Sequence, residues 1–305
     1  MKEGFGELYT RLYNENIEEL EALRTKNQKR NKYIERISAT IAIICVLVAC
    51  IGGVLLSNIQ PIIIIVIIGA CVLRCLRTNY NANDCVRVFK QKILTPLMNN
   101  VFDDCVYEPD RGWSIYEYKK FEYQDRIDRY SSEDMITATI KGANGSENTI
   151  QFAEVYIDKQ ISRKEYCPEF YGLAGKMTLK KDISTKIYIK SNCSEGDKNN
   201  EFKMDMSEFE RIFDVITEDK ILALRILTAD VMTEMIELYR KFKCGFEINI
   251  INNTVYMRLF TGLMFEPNAF MNPLYYSQIE KYYVSLKAMM NISTYIYNTI
   301  NEIEL

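Results

Sequence analysis

Residues 37–76 read ISATIAIICVLVACIGGVLLSNIQPIIIIVIIGACVLRCL, and no charged side chain falls between Ile37 and Leu73. A bilayer core takes about 20 helical residues, so the block is too long for one span and long enough for two. Ser57-Asn58-Ile59-Gln60-Pro61 places a polar, proline-containing turn at its middle. The expectation is a transmembrane helical hairpin with spans over 37–56 and 59–76, the second ending where Arg74 and Arg77 snorkel outward. In lipid the β-branched run Ile62–Ile68 is forced into helix, because its backbone has to bond within itself. Gly52, Gly53 and Gly69 allow the two helices close approach.

The flanks set the orientation. Arg24, Lys26, Lys29, Arg30, Lys32 and Arg36 precede the block, and Arg74, Arg77, Arg87, Lys90 and Lys92 close or follow it. The intervening turn carries no charge, so both termini are expected in the cytoplasm of a two-span protein of the cell membrane. Lys26, Lys29, Arg30, Lys32 and Arg36 form the expected membrane-surface basic set. Each is worth about 1 kcal/mol against anionic headgroups, and the lipid bilayer is the first expected partner.

Composition limits the chemistry. The 305 residues include no histidine, which excludes Ser-His and Cys-His triads and histidine zinc sites. The net charge of −3 gives no global basic field for nucleic acid. Nine cysteines, odd in number and without a CxxC pair outside the apolar block, read as reduced thiols.

The domain order expected is a cytosolic amphipathic helix over 1–36, the hairpin over 37–76, a membrane-proximal helix over 77–102, a cytosolic α+β domain over 103–270 and a C-terminal helix over 271–305. Phe5, Leu8, Leu12, Ile17, Leu20 and Leu23 make the stripe of the first helix. A break is expected near Pro96. Met135–Lys141 and Asn148–Ile157 flank Asn144-Gly145, and Phe246–Ile250 and Val255–Leu259 flank Asn252-Asn253; both read as β-hairpins. The glycines at 142 and 145 match no phosphate-binding fingerprint. Ala229–Lys243 is an amphipathic helix through Val231, Met235, Leu238 and Phe242. Apolar residues at heptad spacing from Tyr275 onward suit either a short coiled coil, hence a homo-oligomer, or packing within the chain. The fold class is thus α+β, mixed and mainly antiparallel, bracketed by long helices and anchored by the hairpin.

Tyr107-x-Pro109-x-x-Gly112, Tyr130-Ser131-x-Glu133-Asp134, Phe170-Tyr171-Gly172-Leu173, Glu208-Phe209-Glu210-x-x-Phe213-x-Val215 and Phe265-Glu266-Pro267, in that order, resemble an uncharacterised bacterial membrane family, domain of unknown function 3137. The resemblance covers about residues 100–267. Leu224, Arg225 and Ala229 depart from its pattern of Arg, Tyr and Pro. It implies an architecture and brings no activity, catalytic residue or cofactor.

The densest polar stretch is Asp125, Arg126, Asp128, Arg129, Tyr130, Glu133 and Asp134. Asp128, Tyr130, Glu133 and Asp134 are the candidate functional cluster: carboxylates there suit a divalent cation or proton transfer, and the competing reading is a turn and solvated rim feeding a strand. Asp103 and Asp104 beside Cys105 disfavour a reactive thiolate. Trp113, Tyr116, Tyr118, Phe121 and Tyr123 read as core aromatics or a binding groove. The leading expectation is a membrane-anchored interaction or scaffold module with a protein partner. The alternatives are a carboxylate-based, metal-dependent enzyme at the membrane face and a structural oligomer subunit.

Overall fold

The computed structural model describes residues 2–55, 83–123, 125–183, 185–191, 204–268 and 272–302. The chain divides into two compact units. One comprises Met1–Tyr9, Leu94–Glu266 and Tyr276–Leu305; the other comprises Thr10–Ile93 and Pro267–Tyr275.

In the larger unit β1 (Cys105–Glu108), β2 (Arg129–Lys141), β3 (Glu147–Ser162), β4 (Glu165–Thr178), β5 (Ile187–Ser191), β6 (Phe213–Thr217), β7 (Phe246–Ile251) and β8 (Thr254–Leu259) form one sheet. The order is β1-β2-β3-β4-β8-β7-β5-β6, and every neighbouring pair is antiparallel. Both hairpins turn where the sequence places its turn residues. Gly145 takes φ 76° between β2 and β3, and Asn252 takes φ 52° between β7 and β8, the left-handed region that tight turns need and that Gly and Asn tolerate.

The helices, in chain order, are α1 (Phe5–Leu55), α2 (Asn83–Phe89), α3 (Thr95–Val101), α4 (Ile115–Tyr118), α5 (Ser207–Ile212), α6 (Lys220–Ile226), α7 (Ala229–Phe242) and α8 (Tyr276–Glu302). The break expected near Pro96 takes a definite form: a π turn over Lys90–Leu94 precedes α3, which carries the proline in its first turn, where no amide hydrogen is missed.

α8 covers one face of the sheet. Its Ile279, Tyr282, Leu286, Met289, Ile292, Ile296 and Ile300 are buried, and Ser293 Oγ lies 3.5 Å from Met257 Sδ. The heptad-spaced residues are therefore spent inside this unit, which favours packing within the chain over the coiled-coil alternative. Within the sheet, β4 and β8 approach closely at one glycine: a Cβ on Gly172 would stand 2.0 Å from the Leu259 carbonyl oxygen. The opposite face is roofed by α4 and a 3-10 turn over Lys119–Phe121. Trp113, Tyr118 and Phe121 pack there on Val155, Ile157, Phe170 and Tyr256. The aromatic stretch is thus mostly core, except Tyr116, which is 79% exposed.

In the smaller unit α1 packs on α2 through Leu20, whose carbonyl accepts from Cys85 Sγ at 3.9 Å, and α1 meets the π turn through a Lys92–Glu19 ion pair. Asn272 Nδ2 donates to the Tyr13 hydroxyl at 3.3 Å.

The transmembrane hairpin is corrected by the structure. Among the described residues no helix is long and apolar enough to cross a membrane. Residues 37–55 do not start an element of their own; they continue α1, a single helix of 51 residues that has run through charged and polar turns since Phe5. The turn at 57–61 and the second expected span, 59–76, lie outside the described residues. The two-span fold class, the membrane description and the multi-pass localisation drawn from them are accordingly withdrawn. An eight-stranded antiparallel sheet with a long N-terminal helix stands in their place.

Candidate functional site

The register of β2 on β3 slips between Glu133 and Ile136: Glu133 stands opposite Glu154 and Ile136 opposite Phe152. Asp134 and Met135 together face Ala153, a β-bulge, and such bulges re-aim side chains. Asp134 takes φ 59°, its amide donates to the Pro109 carbonyl at 3.0 Å and the Met135 amide to Arg111 at 2.9 Å. The segment after β1 thus stitches the bulge in place.

The bulge gathers acids. One carboxylate oxygen each from Glu133, Asp134 and Glu266 lies within 4.8 Å of the others. Asp134 and Glu154 are fully buried. Glu154 accepts from the Met264 amide at 2.6 Å and from the Tyr156 hydroxyl, while Asp134 accepts from the Tyr107 hydroxyl. The Glu266 carbonyl accepts from the Tyr282 hydroxyl at 3.0 Å and from Gln278 at 2.7 Å. Burial, reinforced by Asp134, pushes the Tyr107 hydroxyl far above the ordinary tyrosine range. Burial and then Glu154 do the same to Tyr156. These tyrosines stay protonated and act as donors to the carboxylates. Oxygen-only donors of this kind suit a hard divalent cation.

The other face holds a second buried polar group. Arg258 Nη1 donates to both Asp125 oxygens at 2.6 and 2.8 Å, and Nε donates to Glu247 at 2.6 Å. The guanidinium carbon lies 4.0 Å over the Tyr123 ring. Tyr118 donates to Asp125 at 3.0 Å and Tyr188 to Glu247 at 2.9 Å. This is a satisfied charge network of the kind that fixes a core.

The acidic stretch read from sequence is therefore divided. Glu133 and Asp134 lie together at the bulge. Tyr130 instead donates to the Trp113 carbonyl at 3.0 Å on the aromatic face, and burial pushes its hydroxyl up to about 12. Asp128 sits on the rim, paired with Arg126 at 3.0 Å and accepting from the Gln160 amide at 2.6 Å. Glu154 and Glu266 were missed. Glu154 had a signal: one carboxylate between Phe152 and Tyr156 on a strand-length apolar run. The Cys105 thiol is pushed up, by burial foremost with Asp104 adding to it. Lys26, Lys29, Arg30, Lys32 and Arg36 are exposed along α1.

At the sheet's far edge β6 pairs with β5 on one side, and among the described residues no strand lies on its other side. Phe213 and Val215 are buried, holding the strand down, while Ile216 is 48% exposed, with Ile221 at 68% and Leu224 at 38% on the adjoining α6.

Residues 168–296 match the family described as "Protein of unknown function (DUF3137)". Over that stretch the resemblance to domain of unknown function 3137 is shown. The blocks from Phe170 to Pro267 fall inside it, while those at Tyr107 and Tyr130 precede it. No curated protein sequence matches the chain. Among solved structures, the crystal structure of the mycobacterial trehalose monomycolate transport factor A, TtfA, is similar at 8% identity, covering 68% of this chain and 96% of that one, with a TM-score of 0.33. At that score nothing about fold or function is transferred.

Proposed function

We propose that the chain is a protein-docking module whose β6 edge takes up an extended segment of a partner. The observation that carries this reading is the pairing of an edge strand with exposed Ile216 and the neighbouring Ile221 and Leu224. Unpaired N–H and C=O groups on an edge are a template for strand addition, and large apolar side chains beside them supply pockets for alternate residues. The buried Phe213 and Val215 keep the template rigid, so little ordering cost falls on this side of the complex. A photo-crosslinking residue at Ile216 should give one discrete adduct from native extracts, lost on Ile221→Asp. The same probe at Ile161, exposed on another part of the sheet, should give none. Equal adducts from both positions would end the proposal.

A second reading is favoured by the convergence of Glu133, Asp134 and Glu266: a divalent cation held at the bulge, for structure or for carboxylate chemistry. Adding Mg2+, Ca2+ or Mn2+ to metal-stripped protein should then raise its melting temperature, and Asp134→Asn should remove the rise. Unchanged melting with each ion would dispose of this reading.

A further inference from the structure

On the face opposite α8, α4 and the β7–β8 turn border an open pocket of about 440 Å³. Tyr116, Lys119, Lys120 and Glu122 line one side, and Ile251–Thr254 with Tyr256 the other. Lys176 stands directly opposite Tyr256 in the β4–β8 ladder, so its side chain rises from the same face. Lys119 and Lys120 are exposed, and none of these three lysines makes a salt bridge or a side-chain hydrogen bond among the described residues.

The two carboxylates nearby are already engaged. Glu122 is paired with Lys186 at 3.0 Å. Glu117 accepts from the Ser114 amide at 2.9 Å in a capping box, which is the first cause of its lowered pKa, with Lys176 and Lys120 contributing at longer range. The pocket therefore offers free positive charge that the chain does not neutralise, although the chain as a whole carries −3. Tyr116 and Tyr256 add aromatic walls, and Asn252, Asn253 and Thr254 add side-chain hydrogen-bonding groups. Tyrosines are enriched in protein-recognition centres, and the lysines supply charge complementarity to an acidic partner. The size falls within the range of ligand sites, but the opening suits a chain segment better than an enclosed small molecule.

From this geometry we infer that the pocket binds an acidic peptide segment of a partner protein, its carboxylates on Lys119, Lys120 and Lys176 and its backbone or an apolar residue against Tyr116. The site lies apart from β6, so it stands or falls independently of the edge-strand proposal. The test uses the full chain and a fluorescein-labelled hexaglutamate peptide at low salt, followed by fluorescence anisotropy. The double reversal Lys119→Glu with Lys120→Glu should weaken binding about ten-fold or more, since each reversal turns an attraction into a repulsion. Tyr116→Ala should weaken it as well. Hexaglutamine should not bind, and affinity should fall steeply with salt. Lys164→Glu, an equally exposed reversal elsewhere, should leave binding unchanged. The inference is overturned if hexaglutamate does not bind, if hexaglutamine binds as well, or if Lys164→Glu weakens binding as much as the pocket reversals do. Circular dichroism of each variant guards against a folding artefact; should the double reversal unfold the chain, Lys176→Gln with Tyr116→Ala reads the same site.

Discussion

Arg258→Met strands two buried carboxylates. Arg258 is the shared partner of Asp125, at 2.6 Å with side chains 8% and 4% exposed, and of Glu247, also at 2.6 Å with the acid 13% exposed. Removing one partner of a buried pair costs about 3–5 kcal/mol, because the remaining charge is left without compensation. The cation over Tyr123 at 4.0 Å is lost too, a smaller share of about 1 kcal/mol. For a domain of this size about 2–4 °C of melting temperature goes with each kcal/mol, so a fall of roughly 6–20 °C is expected. Urea unfolding followed by tryptophan fluorescence is a suitable assay, since Trp113 packs on Phe121 at 5.1 Å beside this network. Adding Asp125→Asn and Glu247→Gln to the variant should recover part of the loss, because the stranded charges are then gone. A loss below about 1 kcal/mol, the value of a solvated surface pair, would refute the claim that the network is a desolvated core element.

Three further outcomes are expected. Burial raises the hydroxyls of Tyr107, Tyr118 and Tyr156 above their ordinary value and takes Tyr130 to about 12; folded values above unfolded ones give stability that is complete below the unfolded value of about 10 and is lost as pH rises from there through the folded values, so urea midpoints should hold up to pH about 10 and drop between pH about 10 and 12, and a flat profile would contradict the burial. Gly172→Ala must push β4 from β8, since its new Cβ would meet the Leu259 carbonyl at 2.0 Å; overpacking of this kind costs about 1–3 kcal/mol or more, and an unchanged melting curve would show that the strands part freely. Ser114→Ala removes the hydroxyl that accepts from the Glu117 amide at 3.2 Å, with an expected loss of about 1 kcal/mol in chemical denaturation.

Local chemistry was legible wherever it was periodic or punctuated. Asn144-Gly145 and Asn252-Asn253 gave both hairpins, Val231, Met235 and Leu238 gave the buried stripe of α7, and Leu8, Leu12 and Leu20 gave the buried side of α1. What the sequence hid was long-range. β1 has four residues, too few for a pattern, and its pairing with β2 is visible only in space. Glu266 is far from Glu133 and Asp134 along the chain and meets them only because the segment after β8 converges on the bulge, and Glu154 stands opposite Glu133 only through the pairing of β2 with β3. Arg258 read as one polar position in a hairpin, and its two acids come from elsewhere. Lack of charge does not by itself define an element: residues 37–55 continue a helix begun in polar turns.

The β6 edge is the centre of the functional account, and hydrogen exchange measures it directly. With the captured partner bound, the amides of residues 215–217 that face away from β5 should gain protection by at least about ten-fold, as new ladder bonds form. A partner that stays bound while those amides exchange at their free rate would contradict the account.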